Sequence, residues 1–346
     1  MSQRIFTDIR FIIKVHNQYT FIDLFSGIGG FRIGMEQAGF ECLFSNDHDK
    51  YSNQTYKHWF GDGNHYEGSL WDKEVIDLVP QHDILCGGFP CQPFSSAGKK
   101  LGFNDDNQGN LFFRIEDIIE SKRPKVVFLE NVRNLLTHDN RNTWETILQI
   151  MCKHDYSLPA FEVINSKHWT PQNRHRIYML FFRNDIDGLN KSFEASRHLR
   201  NLAESRANIL PIFSSIRERN PDESYQIPAG TWSSLQRHKK AHQNKGNGFG
   251  YGLITDDETQ TRTLSARYPK DGAEILIQEE GWERPRKITI KEGQALMGFT
   301  PQYAEKYGFD DGFPMPVSNH QAYKQLGNAV VPGVVEEIAI IIKNIL

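Results

Sequence analysis

Cys91 stands between Pro90 and Pro93 in the run Gly87-Gly88-Phe89-Pro90-Cys91-Gln92-Pro93-Phe94-Ser95-Ser96, just after the apolar stretch Asp83-Ile84-Leu85-Cys86. A cysteine flanked by turn residues at the end of a strand reads as an exposed thiol at a site, and its thiolate form is a nucleophile. Cys86, inside the apolar run, reads as core. A papain-like pairing with one of the 13 histidines has no local signature to support it. Glu130 and Asn131 directly follow the run Lys125–Leu129. A carboxyl at the end of a buried strand has its pKa raised and can act as a general acid or hydrogen-bond donor; a helix N-cap shared with Asn131 is the plainer reading. Arg174 and Arg176 lead into a further apolar run, and strand alternation sends both to one side. Two guanidiniums together suit a phosphate or a carboxylate, or else form a solvated surface pair.

A second group of residues suits a nucleoside. Gly27, Gly29 and Gly30 follow the β-rich run Tyr19–Phe25 and precede a helical pattern over 31–38, so backbone N–H groups can approach a ligand at a helix N-terminus. The dinucleotide fingerprint asks for glycine at position 32, where Arg32 stands, which disfavours a nicotinamide dinucleotide. Asp47, at the end of the next apolar run, is placed to accept hydrogen bonds from ribose hydroxyls, or is a solvated residue of a plain βα turn. A third group spans Trp232–Gly252. It holds Arg237, Lys239, Lys240 and Lys245 with no acidic residue, two histidines, Phe249, Tyr251 and four closely spaced glycines. That reads as a flexible basic loop with aromatics, suited to a phosphate backbone and base edges, against the usual alternative of a solvated charge run.

The elements that must position these residues are legible. Short apolar runs at 19–25, 41–45, 83–87, 125–129 and 176–182 alternate with longer amphipathic segments such as 111–121. This pattern predicts a mostly parallel, doubly wound α/β sheet, and the polar signals sit just after the strands, where such sheets bind ligands. From about 185 to 285 the chain turns polar and rich in Gly, Arg and His, which predicts a smaller, irregular domain. Residues 332–343 return to a strong amphipathic helix. The first 19 residues are not assigned.

Composition bounds the rest. The 346 residues carry 40 Lys+Arg against 43 Asp+Glu, which excludes a blanket polycation. Four cysteines without CxxC spacing argue against a disulfide framework or a metal ribbon, and no metal is expected. The chain has no run of 18 apolar residues and no signal-peptide core, so a soluble protein of the reducing cytoplasm is expected, away from membranes.

Five segments in order, DLFSGIGG (23–30), GFPCQPFSSAGK (88–99), ENV (130–132), PQNRHRIY (171–178) and YKQLGNAVVP (323–332), resemble the DNA (cytosine-5) methyltransferases. The resemblance covers about 20–346. It implies a Rossmann-like S-adenosylmethionine-dependent domain over 1–184 plus 301–346, and a target-recognition domain over 185–300, with double-stranded DNA between them. By this resemblance Cys91 attacks C6 of a flipped-out cytosine, Glu130 holds N3 and the exocyclic amine, and Arg174, with Arg176, assists at the base. Phe25, Ser26, Gly27, Gly29 and Gly30 would surround the methionine part of the cofactor, with Asp47 on the ribose and Asn328 near the cofactor and the core. Gln92 and Ser95 would lie against DNA.

Three positions depart from the family pattern. His48 stands where an aromatic that stacks on adenine, often Trp, is common; Ser69 replaces an acid that helps to hold the adenine; Ala329 stands where Ser is common. In the recognition region, 238–252 and 261–277 are similar to the Dcm-type subgroup that modifies the inner cytosine of CCWGG or CCNGG sites. Related GNGFGY segments occur in CCGG-specific enzymes. Lys239, Lys240, Lys245, Arg262, Thr263 and Arg267 are the expected DNA contacts, with Arg262 or Arg267 reading guanine or binding phosphate. A tRNA cytosine-5 methyltransferase of the same family and a catalytically dead DNA-binding fold are the alternatives. A companion restriction endonuclease is a compatible cellular partner, and a monomer is expected.

Overall fold

The computed structural model describes residues 18–72, 74–90, 111–255 and 259–346; Cys91, Gln92 and Ser95 lie outside these, as does most of the unassigned amino-terminal stretch. The first half of the chain alternates strand and helix. Strands β1 (Thr20–Leu24), β2 (Glu41–Asp47), β3 (His65–Glu67), β4 (Ile84–Gly88), β5 (Val126–Val132), β6 (Ala160–Asn165) and β7 (His175–Phe182) form one sheet. Its order is β3-β2-β1-β4-β5-β7-β6. Pairing is parallel from β3 through β5, while β7 runs antiparallel to both β5 and β6. All five expected strands are present. The two additions, β3 and β6, escape the pattern because β3 is three polar residues long and β6 leaves Phe161 exposed.

Alternate strand residues feed two separate cores. Phe21, Cys86, Val126, Phe128, Leu180 and Phe182 face one side, and Ile22, Leu24, Leu85, Val127, Leu129 and Phe181 face the other. A strand buried on both faces needs a helix layer on each, which is why these runs read as continuously apolar. Helices α1 (Gly30–Gln37), α2 (Lys50–Phe60), α3 (Val75–Leu78), α4 (Phe112–Lys122), α5 (Asn142–Lys153) and α6 (Gly188–Ser205) come from the first part of the chain. Of these, α4 and α5 cover the second face, each burying an apolar stripe worth roughly 1.5–3 kcal/mol per large side chain.

The expectation that irregular structure begins at 185 meets a difference. Residues 188–205 form α6, which packs on β6, β7 and the C-terminal helix, so this segment belongs with the sheet. Beyond it, α7 (Ala229–Asn244) and the short strands β8 (Leu253–Ile254), β9 (Leu276–Ile277) and β10 (Arg286–Lys287) make a small unit around Ile227, Leu235 and Leu276. The expected flexible loop over 232–252 is therefore a helix up to Asn244 followed by a glycine-rich turn. Leu235 is the one buried residue of α7, so the sequence shows almost no helical periodicity there.

The chain then returns through α8 (Ile290–Leu296), α9 (Pro301–Glu305), α10 (Asn319–Asn328) and α11 (Pro332–Ile345), with α11 lying along α1. The stretch Asn319–Ile345 has the length and hydropathy of a membrane span, yet it breaks at 329–331 and is mostly buried in this core.

Candidate active site

The chain moves outward from β1 to β3 and then jumps back to β4 on the other side of β1. Open α/β sheets bind ligands at such a switch point, outside the carboxyl ends of the strands. Here those ends deliver Phe25-Ser26-Gly27 from β1, Asp47 from β2, Phe89-Pro90 from β4 and Glu130-Asn131 from β5.

The turn after β1 is tightly specified. Phe25, Gly27 and Gly29 take φ values of 55°, 56° and 83°, the left-handed region that costs a non-glycine residue. Ser26 N donates to Asn46 O at 2.9 Å, and Gly27 N donates to Asp47 Oδ2 at 2.8 Å. A side chain at Gly29 would meet the Phe60 ring at 2.3 Å, and one at Gly30 would meet Val330 O at 2.7 Å. Among the described residues, nothing stands within 4 Å of the position a Cβ on Gly27 would occupy. Beside that open space Ser26 Oγ is buried without a hydrogen-bond partner among the described residues.

Asp47 is committed on two sides, since its Oδ1 also accepts from Asp49 N at 2.8 Å. Burial raises its pKa, against the backbone donors of Asp49 and Gly27. Each oxygen keeps lone-pair capacity for a further donor. His48 lies alongside, exposed, with Nδ1 3.8 Å from Asp47 Oδ1. Ser69 uses its hydroxyl locally, accepting from Trp71 N at 3.1 Å. The carboxylate in this turn belongs to Asp72, whose Oδ2 accepts from Ser69 N at 3.0 Å and Tyr66 OH at 3.1 Å. Asn328 is exposed at the end of α10 between buried neighbours.

Glu130 and Asn131 lie inside β5, so the helix-cap alternative does not hold. Glu130 is only 7 % exposed and pairs in register with Gly88, three residues before Cys91. A Cβ on Gly88 would sit 3.4 Å from Glu130 Oε2. Asn131 Nδ2 donates to Phe89 O at 2.8 Å and so ties the end of β4 to β5. Burial pushes the Glu130 carboxyl above its ordinary value, and Arg176 and Arg174 oppose this.

The two arginines, expected to act together, separate in role. Arg176 Nε lies 3.1 Å from Glu130 Oε1. Arg174 is 2 % exposed, and its guanidinium donates to Leu264 O at 2.9 Å, Gly327 O at 3.0 Å and Ala329 O at 2.8 Å. It is a strut between the residue leading into β7, the 259–265 segment and the end of α10. Gln172, not singled out from the sequence, reinforces it: Oε1 accepts from Leu264 N at 2.7 Å and Nε2 donates to Leu296 O at 2.8 Å. Its place in the same PQNRHR run is the signal that could have found it. Gly327 completes the joint, because a side chain there would collide with the Ser265 backbone at 2.3 Å.

The expected DNA contacts divide as well. Thr263 Oγ1 donates to Asn173 O at 2.5 Å, which places the 261–263 segment directly beside Arg174. Arg262 Nη1 donates to Gly250 O at 2.6 Å and braces the glycine-rich turn. Lys239 Nζ sits 4.2 Å from the Tyr251 ring centroid, a cation–π contact. Lys240, Lys245 and Arg267 are exposed.

Residues 19–344 match the family model described as C-5 cytosine-specific DNA methylase. The chain belongs to that family. This DNA cytosine methyltransferase is 42 % identical over 323 residues to the type II methyltransferase M1.ScrFI of Lactococcus lactis subsp. cremoris, covering 93 % of this chain and 77 % of that protein. It is 42 % identical over 325 residues to the type II methyltransferase M.NlaX of Neisseria lactamica, covering 93 % and 95 %. It is 36 % identical over 376 residues to the DNA-cytosine methyltransferase of Escherichia coli K12, covering 94 % and 77 %. Among solved structures, a Spodoptera frugiperda DNMT2 mutant superposes with a TM-score of 0.68 at 20 % identity, covering 94 % of this chain and 100 % of that one, a likeness of fold. The methyltransferase is thus a DNA-modifying enzyme built on the expected α/β sheet.

Proposed function

We propose that this methyltransferase transfers a methyl group from S-adenosylmethionine to C5 of a cytosine extruded from duplex DNA, with Cys91 as the nucleophile. The observation that carries this reading is Glu130: a buried carboxyl of raised pKa, at the end of β5, opposite Gly88 and in contact with Arg176. Cys91 Sγ forms a bond to C6, and Glu130 supplies the proton or hydrogen bond that neutralises N3 as the C5–C6 π electrons localise on C5. Arg176 orients the Glu130 carboxyl for that contact. S-adenosylmethionine bound beside Ser26, Gly27 and Asp47 supplies the electrophilic methyl group. Loss of the C5 proton to a base then returns the electron pair, breaks the S–C6 bond and restores the ring.

The cofactor fits the residues at the switch point. Among the described residues Ser26 Oγ has no partner and the space over Gly27 is open, which offers a cradle, and Asp47 retains acceptor capacity for ribose hydroxyls. Phe25, Gly29 and Gly30 shape the turn, while His48, Ser69 and Asn328 border it. Extrusion costs a few kcal/mol, which the basic unit around α7 offsets. We assign the inner cytosine of CCWGG or CCNGG sites as the target, on the similarity of 238–252 and 261–277 to enzymes of that subgroup. The enzyme acts as a cytoplasmic monomer, and a companion restriction endonuclease is the partner in a modification role.

Base-resolution mapping of 5-methylcytosine on plasmid DNA treated with the protein and S-adenosylmethionine tests the reaction, the nucleophile and the target. Methylation at those inner cytosines is expected, and Cys91→Ser should abolish it while DNA binding persists. Marks at another sequence overturn the target assignment, marks only on tRNA overturn the substrate, and near-normal turnover by Cys91→Ser overturns the nucleophile.

A further inference from the structure

Asp47 is fixed at its backbone as well as at its carboxylate. Its carbonyl accepts from Gly68 N at 3.1 Å and from Asn53 Nδ2 at 3.1 Å. The other end of the Asn53 amide, Oδ1, lies 3.0 Å from His65 Nε2, and His65 Nδ1 lies 2.9 Å from Ser45 Oγ. Ser45 stands two residues before Asp47 on β2, so these contacts close a ring through β2, β3 and α2. The ring fixes its own proton directions. Asn53 spends an amide N–H on a carbonyl and so turns Oδ1 to His65; Nε2 therefore donates, and Nδ1 accepts from the Ser45 hydroxyl. Burial pulls the His65 pKa down to about 4, which keeps the imidazole neutral for this pattern.

Tyr56 stacks on the His65 imidazole, with ring centroids 4.3 Å apart and planes 19° from parallel. The same tyrosine accepts from Arg32 Nη1 at 3.2 Å, and its ring edge lies 3.2 Å from where a Cβ on Gly29 would stand. The imidazole is thereby held against the wall of the glycine turn. Ser45 is fully buried and Asn53 is 2 % exposed. Polar side chains in such a joint are costly to desolvate, and what they supply in place of apolar packing is direction: the donor edge of the Asn53 amide stays on Asp47.

We infer that His65 is a positioning residue for the cofactor: through Asn53 it fixes the Asp47 main chain, and so the angle at which the Asp47 carboxylate meets the ribose hydroxyls. This rests on the proposed S-adenosylmethionine site and deepens it. The strands of the ring, β2 and β3, lie on the opposite side of β1 from β5, which carries Glu130. Loss of His65 should therefore reach cofactor binding and leave the chemistry alone.

The test is calorimetric binding, without DNA, of S-adenosylmethionine and of its analogue lacking both ribose hydroxyls. His65→Leu removes both ring hydrogen bonds, and thermal melting verifies that it folds. It should bind S-adenosylmethionine about tenfold more weakly, the worth of roughly one hydrogen bond, and bind the analogue as wild type does. In turnover on DNA, KM for the cofactor should rise by the same factor with kcat unchanged. His65→Gln keeps a donor for Asn53 Oδ1 and should restore most of the affinity. Ser45→Ala opens the ring at its far end; it should show the same selectivity with a smaller loss, and it decides the matter should His65→Leu not fold. Equal losses on both ligands mark a merely structural role and overturn the inference, as does full S-adenosylmethionine affinity in folded His65→Leu. Asp47→Ala separates the two readings: if it shows no loss selective for the ribose hydroxyls, the cofactor site itself is overturned.

Discussion

Arg176 Nε stands 3.1 Å from Glu130 Oε1, while Arg174, two residues earlier, donates to three backbone carbonyls. One arginine, within β7, thus meets the buried carboxyl, and the other, just before β7, ties the 264 segment to the end of α10. The pair makes separable demands on chemistry and on stability.

Glu130→Gln keeps the shape but removes the acid, and should lower kcat by about 10²- to 10⁴-fold. In the wild type the raised pKa keeps Glu130 protonated to higher pH than an exposed glutamate, and activity should fall as pH rises through it. Because Arg176 opposes that rise, Arg176→Gln should move the falling limb to still higher pH. A pH profile of kcat/KM with an unmoved limb rejects Glu130 as its origin.

Arg174→Met leaves the carbonyls of Leu264, Gly327 and Ala329 without their donor in a buried place. Stability should drop by roughly 3 kcal/mol or more, at about 1–3 kcal/mol per stranded group. Urea unfolding reads this as a lower midpoint with the slope unchanged. A loss below about 1 kcal/mol would show that the strut is dispensable.

Asp23, in the middle of β1, is fully buried, and neither carboxylate oxygen has a hydrogen-bond partner among the described residues. Burial pushes its pKa from 3.8 to about 8, with the Arg32 charge opposing and that of Asp47 adding. The folded state therefore binds the proton more tightly than the unfolded chain does. Its contribution to stability is complete below about 4 and is lost as pH rises towards 8. Asp23→Asn should flatten the fall of Tm over that window and make the protein more stable than wild type above it. An unchanged Tm–pH curve would show that Asp23 is ionised in the fold.

Lys240→Ala combined with Lys245→Ala should weaken duplex binding and flatten its log–log dependence on salt by roughly two units, about one for each lost phosphate contact. An unaltered slope would turn this face of α7 away from DNA.

Much of this enzyme is written locally. The glycine turn after β1, Asp47 at the end of β2 and Glu130 near the end of β5 were all legible, because a strand buried on both faces is a continuous apolar run and the first polar residue marks where that run stops. Cys86 was legible as core for the same reason, and it is fully buried. The short β3 and the single-stripe helix α7 were hidden, since three polar residues or one buried leucine leave no period to detect.

Partnership was the part that only the tertiary structure decided. Arg174 and Arg176 are the same residue type two positions apart, one just before β7 and one within it, and nothing in their spacing says which one meets the carboxylate. That follows from Leu264, Gly327 and Ala329 arriving from 90, 153 and 155 residues away with carbonyls to be satisfied in a dry joint. Ser69 and Asp72 make the same point: chain reversal, not composition, chose which side chain presents a carboxylate in the turn after β3. Hydrophobic periodicity sets the strands and helices residue by residue, whereas a buried polar group takes whatever partner the folded chain brings within reach.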